Sequence, residues 1–444
     1  MMKEKKYCGK KFFLIGIGGI SMSAIAKYIL SEGGIVCGSD VRKSRIIDDL
    51  QRLGVNIFIG HNGANIKGYE AVIVNSAIAE DNPELLYARA LGLKIYSRAE
   101  FLSSIMGDFS LSAGIAGCHG KTTATAMLSN ICKAAGREFL AHIGGEDILL
   151  GNHYYSGKEI FIGEICEYKR NIDKFFVDVA CVLNVGYDHA DCYSNLNEVV
   201  SVYYAFLDRA KIRIINVDDG VLSKYGKASI TYGLVNEADF FAKDVYYDGA
   251  TLSFTLCAKG KYFNITMGVI GEHNVYNALA ASATAYALGI DLEYVVKGLN
   301  AFKGIKRRFE FVGYINSARV ICDYAHHPKE IASAIKTARG LTKGRLIVVF
   351  QPHTYSRTKA LMSEFLECFN GVDDLSIFKE YAARESFDAA GSAKSLYNNL
   401  ITAKNYFNDI FELKKYLHKA ACTGDTVLML GAGDIYEKVL SVIN

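Results

Sequence analysis

Tryptophan is absent from this chain, and no stretch of it approaches the roughly 18 consecutive apolar residues that a membrane-spanning helix needs. The missing tryptophan decides nothing. The missing apolar run argues against stable membrane insertion. Charge of one sign is lacking too: 50 lysines and arginines against 47 aspartates and glutamates leave a net +3, too little to imply nucleic acid as a partner. The eleven cysteines contain no C-x-x-C pair and follow no secretion signal, so they read as reduced thiols of a cytosolic protein. The start, "MMKEKKYCGKKFFLIGIGG", is basic and then apolar like a signal peptide, but its apolar run breaks into glycines and lacks a small-residue cleavage site. It reads as a basic leader into a first strand.

What is present suits a protein with real cores. Half of the 444 residues are hydrophobic and 22% are charged, and the length exceeds what one ordinary core organises, so two or three domains are expected. In the first hundred residues, short apolar runs ("KFFLIGIGG", "GIVCGSD", "VNIFIG", "AVIVNSA") alternate with helical spacing, as in "SMSAIAKYILSEGG". That rhythm predicts a parallel sheet covered on both faces. It restarts near Ser110 and again near Arg319. Between about 240 and 270 the pattern changes to alternation around Asp248-Gly249 and Lys259-Gly260, which predicts antiparallel hairpins. The expected architecture is α/β in three domains: 1–107, 108–312 with a parallel sheet plus a small antiparallel section, and 313–444. No low-complexity linker marks the joins.

Two glycine loops carry the first chemical signal. Gly16-Ile17-Gly18-Gly19-Ile20-Ser21 follows a strand, opens a helix and is followed by Asp40 after the next strand. This is nearly the dinucleotide fingerprint, with Ser21 in place of the third glycine. Glycines let the backbone approach a diphosphate, the helix N-terminus favours its charge, and Asp40 offers an acceptor to ribose hydroxyls. A ligand-free strand–helix turn would read the same, and the loop does not separate NAD from other nucleotide diphosphates. The second loop, Gly117-Cys118-His119-Gly120-Lys121-Thr122-Thr123, stands between a strand and the helical "TATAMLSNICKAAG". Its lysine suits β- and γ-phosphates and its threonine hydroxyl suits magnesium. Against the strict phosphate-loop pattern, Ile115 occupies the first glycine position.

Acidic and histidine clusters follow at strand ends, where open α/β sheets bind ligands. Glu164 and Glu167 lie in "IFIGEICEYKRN", and Asp188, His189 and Asp191 in "NVGYDHADCY". Beside a triphosphate they suit a second magnesium; solvated strand ends are the plain alternative. Asn274 and Asn277 stand one helical turn apart, able to read an adenine edge or, for Asn274, to cap a helix. "GIKRRFEF" offers a phosphate clamp or a solvated loop. "ICDYAHHPKEI" and "VFQPHTYSRT" each put histidine just past a strand.

Taken in order, "GIGGISMSAIA", "GSD", "NSAIAEDNPEL", "SRAEFL", "AGCHGKTTATAM", "DHAD", "GEHNVYNALAA", "GIKRRFE", "DYAHHPKEI", "FQPHTYSRT" and "GAGDIY" resemble the Mur ligase family over nearly the whole chain. The resemblance implies three domains, Rossmann-like at both ends around a phosphate-loop domain, and an ATP- and magnesium-dependent amide ligase. It further implies that the enzyme joins L-alanine to the lactyl carboxylate of UDP-N-acetylmuramate through an acyl phosphate, in peptidoglycan precursor synthesis, as a monomer or homodimer. By similarity, Gly16, Gly18, Gly19, Ser39, Asp40 and His119 face the sugar nucleotide. Gly117, Cys118, His119, Gly120, Lys121, Thr122 and Thr123, with Asn274, Asn277, Arg308, Asp323 and His326, face ATP. Thr122, Glu164 and His189 match magnesium ligands. Lys121, Glu164, His189, His353 and Arg357 match the catalytic set, with Arg357 binding the alanine carboxylate. The chain departs from the family pattern at Ser21, Cys118, Gly186 and Thr354, and in "EICEYKRN". Alternatives are a family member using another amino acid or a recycled peptide and, from the first loop alone, an NAD-dependent dehydrogenase.

Overall fold

The computed structural model describes residues 5–187, 192–248, 251–383 and 385–443. The first run of elements is β1 (Lys11–Ile15), α1 (Ile20–Ser31), β2 (Ile35–Asp40), α2 (Arg45–Arg52), β3 (Asn56–Ile59), β4 (Ala71–Val74), α3 (Pro83–Ala90), β5 (Lys94–Ser97) and α4 (Arg98–Met106). The strands form a parallel sheet in the order β3-β2-β1-β4-β5. The order reverses at β1, so the crevice between the ends of β1 and β4 is where such a sheet accepts a ligand. Local chemistry sets the helix starts. Ser44 caps α2, Asn82 caps α3 ahead of Pro83, and Ser97 with Glu100 makes a capping box on α4.

The second run is β6 (Leu111–Ala116), α5 (Lys121–Ala134), β7 (Phe139–Asp147), β8 (Gly151–Tyr155), β9 (Ile160–Glu164), β10 (Val179–Val182), α6 (Leu196–Arg209), β11 (Ile212–Asn216), β12 (Ile230–Gly233), β13 (Phe240–Tyr247), β14 (Leu252–Ala258), β15 (Lys261–Met267), α7 (Glu272–Ala287) and α8 (Leu292–Ala301). They build a mixed sheet in the order β15-β14-β13-β12-β11-β10-β6-β9-β7-β8. The expected hairpins are there: β13 pairs with β14 and β14 with β15, both antiparallel. The second turns on Lys259 (φ 50°) and Gly260 (φ 77°), the two positive torsions of a tight hairpin that matches strand twist. The antiparallel pair β7–β8 was not foreseen.

These two sheets belong to one compact unit, Met1–Gly268 with Glu272–Lys303. Polar contacts join them. Asn152 donates to Ile20 O (2.7 Å) and Ser23 Oγ (2.9 Å) at the start of α1 and accepts from Lys27 (2.7 Å). At the other end of α1, buried Glu32 accepts from Tyr155 (2.6 Å) and Lys158 (2.7 Å).

The second unit, Val269–Gly271 with Gly304–Asn444, holds the remaining elements. They are β16 (Glu310–Ile315), β17 (Ala318–Asp323), α9 (Pro328–Leu341), β18 (Leu346–Phe350), α10 (Tyr355–Ala360), α11 (Met362–Glu367), β19 (Asp374–Phe378), α12 (Ala393–Asn399), β20 (Ala403–Phe407), α13 (Ile410–Ala420), β21 (Thr426–Leu430) and α14 (Ile435–Ile443). The sheet order is β16-β17-β21-β18-β19-β20, parallel except for β16. Both faces are covered, by clusters around Phe350 and Leu396 on one side and Leu413 and Met429 on the other. The α/β class, with parallel strands and an antiparallel section, is as expected from the residues. Among the described residues, no helix is long and apolar enough to cross a membrane.

Helix α8 meets α5 backbone to backbone: a Cβ on Gly298 would lie 2.7 Å from Ile131 N. Gly298→Ala is expected to lower unfolding stability by about 1–3 kcal/mol through overpacking, although alanine is the better helix former by roughly 1 kcal/mol. Gly340→Ala in α9, with open space around the new methyl, is expected to raise stability by about 0.5–1 kcal/mol. Denaturant unfolding of the two variants reads the opposite signs.

Candidate active site

The first glycine loop joins β1 to α1 at the reversal of strand order. Gly16 has φ 80°, a torsion glycine enters freely. Gly18 N–H donates to Asp40 Oδ2 (2.9 Å), and a Cβ on Gly18 would strike that carboxylate. Asp40 is thus turned onto the loop. Asn75, at the end of β4, lies against both Gly16 and Gly19, its amide nitrogen 3.3 Å from where a Gly19 Cβ would be. Ser39 is fully buried and donates to Glu84, which also meets His61 (2.7 Å) and Asn65 (2.8 Å). Its side chain serves that network and does not point to open space. Ser21 has a structural reason to replace glycine: it bonds His142 Nε2 (2.7 Å) across the sheets and accepts from Arg98 (3.1 Å). Burial, aided by Arg98, pushes His142 down to about 3, so it is a neutral ring that shares the hydrogen bond with the serine hydroxyl.

The second loop lies between β6 and α5. Gly117 (φ 137°) and Gly120 (φ 87°) carry its positive torsions, and a Cβ at Gly120 would collide with the Asn277 amide. Asn184 clamps the loop, accepting from His119 N (2.9 Å) and donating to His119 O (3.0 Å). No side chain caps α5, so its first-turn N–H groups are open to an anion. The Lys121 ammonium folds back onto the carbonyl oxygens of Gly117 and Cys118 (3.2 Å for the latter) and onto Glu167 (3.3 Å). Burial alone would lower the Lys121 pKa; Glu167, Cys166 and Glu164 outweigh it and raise it, so the charge persists.

Glu164 ends β9. Its Oε2 accepts from Thr122 Oγ1 (2.8 Å) and from Gly144 N–H (3.1 Å), and a Cβ at Gly144 would sit 2.7 Å from the carboxyl carbon. The loop, Lys121, Thr122, Glu164, Glu167 and Asn277 are therefore brought together. Asn274 and Asn277 are buried inside α7 and linked to each other (3.2 Å); Asn274 lies beyond the first residue of the helix and does not cap it. An oxygen pair such as Thr122 and Glu164 suits a hard cation, which takes its other ligands from water and phosphate. The phosphate loop and this pair fit a nucleotide and magnesium. Asp188, His189 and Asp191 lie outside the described residues.

In the second unit, Asp323 ends β17 and accepts from the Phe309 and Ala325 N–H groups, 2.7 Å each. Burial pushes it up to about 6, with Arg308 opposing. Arg308 lies over the Tyr324 ring, 5.0 Å from its centre. His326 and His353 face each other at 5.9 Å, and His353 stacks on Tyr381. Hydrogen-bond partners fix the tautomers. Arg357 Nη1, a pure donor, lies 3.1 Å from His353 Nδ1, so that ring carries its proton on Nε2. His326 Nδ1 lies 3.0 Å from the Tyr324 carbonyl, so its proton is on Nδ1 and Nε2 is bare. One ring thus offers a donor and the other an acceptor beside a guanidinium. Burial, then the His326 and Arg357 charges, push His353 down to about 4; burial also lowers His326 against the pull of Glu330.

Sequence reading missed Asn184, Gly144, Asn75 and the Glu84–His61–Ser39 network. Only the asparagine at a strand end and the paired glycines of "HIGGED" carry a local signal for two of them.

The chain resembles known proteins over nearly its whole length. Residues 11–110 match the profile described as Mur ligase family, catalytic domain; 115–285 match Mur ligase middle domain; 307–433 match Mur ligase, glutamate ligase domain. The chain is similar to the UDP-N-acetylmuramate–L-alanine ligases of Clostridium tetani (39% identical, 96% of each chain) and Caldanaerobacter subterraneus (38%, 96% of each). Among solved structures it resembles a UDP-N-acetylmuramate–alanine ligase from Thermotoga maritima, with TM-score 0.85 and 27% identity over 98% of each chain. It shares the fold of a murein peptide ligase from Psychrobacter arcticus, with TM-score 0.75, 22% identity and coverage of 98% and 99%.

The His353 shift has a pH consequence. Its folded pKa is below the unfolded value of about 6.5, so its contribution to stability is complete above pH 6.5 and lost as pH falls through about 4. Asp323, raised, works oppositely, its contribution being present below about 4 and lost as pH rises through about 6. His353→Gln is therefore expected to cost more stability at pH 7.5 than at pH 4, by on the order of 2 kcal/mol, in denaturant titrations at the two pH values.

Proposed function

The chain belongs to the Mur ligase family, and from that premise we propose an ATP-dependent ligase that joins L-alanine to the lactyl carboxylate of UDP-N-acetylmuramate in peptidoglycan precursor synthesis. The observation that carries the proposal is the open N-terminus of α5, with Lys121 and the Thr122–Glu164 pair around it. Family membership leaves the dehydrogenase alternative without support. A protein that works on soluble nucleotides and carries free thiols is assigned to the cytoplasm.

A carboxylate is a poor acylating agent, so it must first receive a phosphoryl group. In this reading the Gly117–Thr123 backbone holds the phosphates of ATP, and Asn277 braces the loop. Lys121, kept charged by Glu167, offsets the negative charge that develops on the phosphoryl oxygens. Magnesium, when bound, would be held by Thr122 and Glu164, with His189 as a further ligand, and would neutralise phosphate charge. The first glycine loop, with Asp40 and Asn75 around it, holds the nucleotide part of the sugar substrate. Arg357 binds the carboxylate of alanine. The bare Nε2 of His326 accepts from its amine, and His353 Nε2–H offers a second polar contact. The free amine attacks the acyl carbon, the C–N bond forms as the acyl C–O bond to phosphate breaks, and the proton shed by the nitrogen leaves with the departing phosphate or to solvent.

Phosphate release from ATP with UDP-N-acetylmuramate plus L-alanine, glycine, L-serine or tripeptide tests the reading. Release with L-alanine is expected; silence with every acceptor would sink it, and release with tripeptide alone would assign a recycling ligase. Lys121→Ala is expected to lower phosphate release by about 10²–10³-fold while sugar-nucleotide binding persists. Gly144→Ala should displace the Glu164 carboxylate and raise the magnesium concentration for half-maximal rate by about 10–100-fold.

A further inference from the structure

Thr354 stands in a backbone conformation that threonine rarely takes: φ 68°, ψ 142°. A β-branched residue there is a true outlier, close to the region open to glycine alone, and such outliers persist where their surroundings over-determine them. Here they do, from both sides. On one side Thr354 N–H donates to Tyr381 O (2.9 Å) and Tyr381 N–H donates to Pro352 O (2.8 Å), so that His353 and Tyr381 pair as an isolated parallel bridge. On the other, Thr358 Oγ1 donates to Thr354 O (3.0 Å), and Ser356 N–H donates to Glu385 (2.8 Å). Gly391 is packed so tightly against the Tyr355 backbone that a Cβ would meet Tyr355 C at 2.7 Å. With both flanks pinned, the mismatch falls on one pair of torsions.

Those torsions decide how His353 meets Arg357. The residue before the outlier carries the ring, and the third residue after it carries the guanidinium. Arg357 reaches back over the turn to His353 Nδ1 (3.1 Å) and His353 O (3.2 Å). The bond to Nδ1 is what sets the Nε2–H tautomer. We propose that Thr354 is a positioning residue, whose strained backbone holds His353 and Arg357 in the one arrangement that presents a guanidinium and an Nε2–H donor to an α-amino acid. The proposal deepens the ligase reading and rests on it for the identity of the ligand; the geometry it invokes does not.

The test is Thr354→Gly in the full-length protein, read three ways. Glycine takes the torsions without strain, so the thermal midpoint is expected to equal or exceed that of the parent protein. The freed turn is expected to release the His353–Arg357 bond, so that ¹⁵N chemical shifts of the His353 ring move from a single tautomer to a mixture. The KM for L-alanine is expected to rise about 10-fold or more, with the KM for ATP unchanged. Thr354→Ser keeps the Cβ and hence the restriction, and should keep the single tautomer. A marked fall in midpoint for the glycine variant would show that no strain is stored, and an unchanged tautomer with unchanged KM would reduce Thr354 to a structural role; either overturns the proposal. If the parent protein releases phosphate with no amino acid, the ligase reading fails while the tautomer measurement still decides on Thr354.

Discussion

Helix α5 is approached closely at both ends, by a side chain at one and by backbone at the other, and the central site depends on that closeness. At its N-terminus the Asn277 side chain occupies the space where any Gly120 Cβ would stand; toward its C-terminus Gly298 of α8 lies on Ile131. Two helices therefore press on α5, α7 through the Asn277 side chain and α8 through its backbone at Gly298. A packed core transmits such contacts as position, because it deforms little. The helix is held with its first turn behind the loop that follows β6, and Thr122 in that turn meets Glu164 from β9. Gly144 of β7, which must lack a side chain to give Glu164 its N–H, completes the same arrangement. Small residues do the placing, and the polar residues do the chemistry.

The two units handle charge in opposite ways. Around Lys121 burial is opposed by carboxylates, and the cation is kept. Around His353 burial acts together with the His326 and Arg357 charges, and around His326 burial outweighs the pull of Glu330, so the imidazoles are kept neutral. The difference matches what each group has to do in the proposed reaction. Phosphoryl oxygens gain negative charge and need a permanent cation nearby. The α-ammonium of an amino acid must lose a proton before its nitrogen can attack, and a neutral ring with a bare nitrogen favours that where an imidazolium would oppose it.

Much of this was legible in the residues because it depends on local rules. Glycine loops between a strand and a helix, the Lys259-Gly260 turn and Glu164 at the end of β9 are short-range signals, and the structure has them. What was not legible depends on pairing between distant segments. β21, the last strand, runs between β17 and β18, and no periodicity encodes a position in a sheet. Ser21 reads as a defect in a dinucleotide fingerprint until His142, 121 residues away, is seen to bond its hydroxyl. Ser39, within β2, is placed at the sugar nucleotide only by the family resemblance, and in the structure its hydroxyl donates to the buried Glu84. Asn184 is invisible for the same reason: only the closed loop shows that its side chain bonds both backbone groups of His119.

The helix starts make a further point about where stability gives way to binding. In the first unit α2, α3, α4 and α6 begin with a side-chain cap from Ser44, Asn82, Ser97 and Asn195. Helices α1 and α5, which follow the two glycine loops, begin at Gly19 and Gly120 with no side-chain cap. A side-chain cap is worth about 1 kcal/mol, and serine and asparagine are among the residues that supply it best. Its oxygen would accept from the same N–H groups that an incoming phosphate needs, and the positive end of the helix would already be satisfied. Helix α8 also starts without a side-chain cap, at Asp291, so an open first turn is not by itself a phosphate site. In α1 and α5 it coincides with a glycine loop, and in the proposed reaction those N–H groups are left for phosphate.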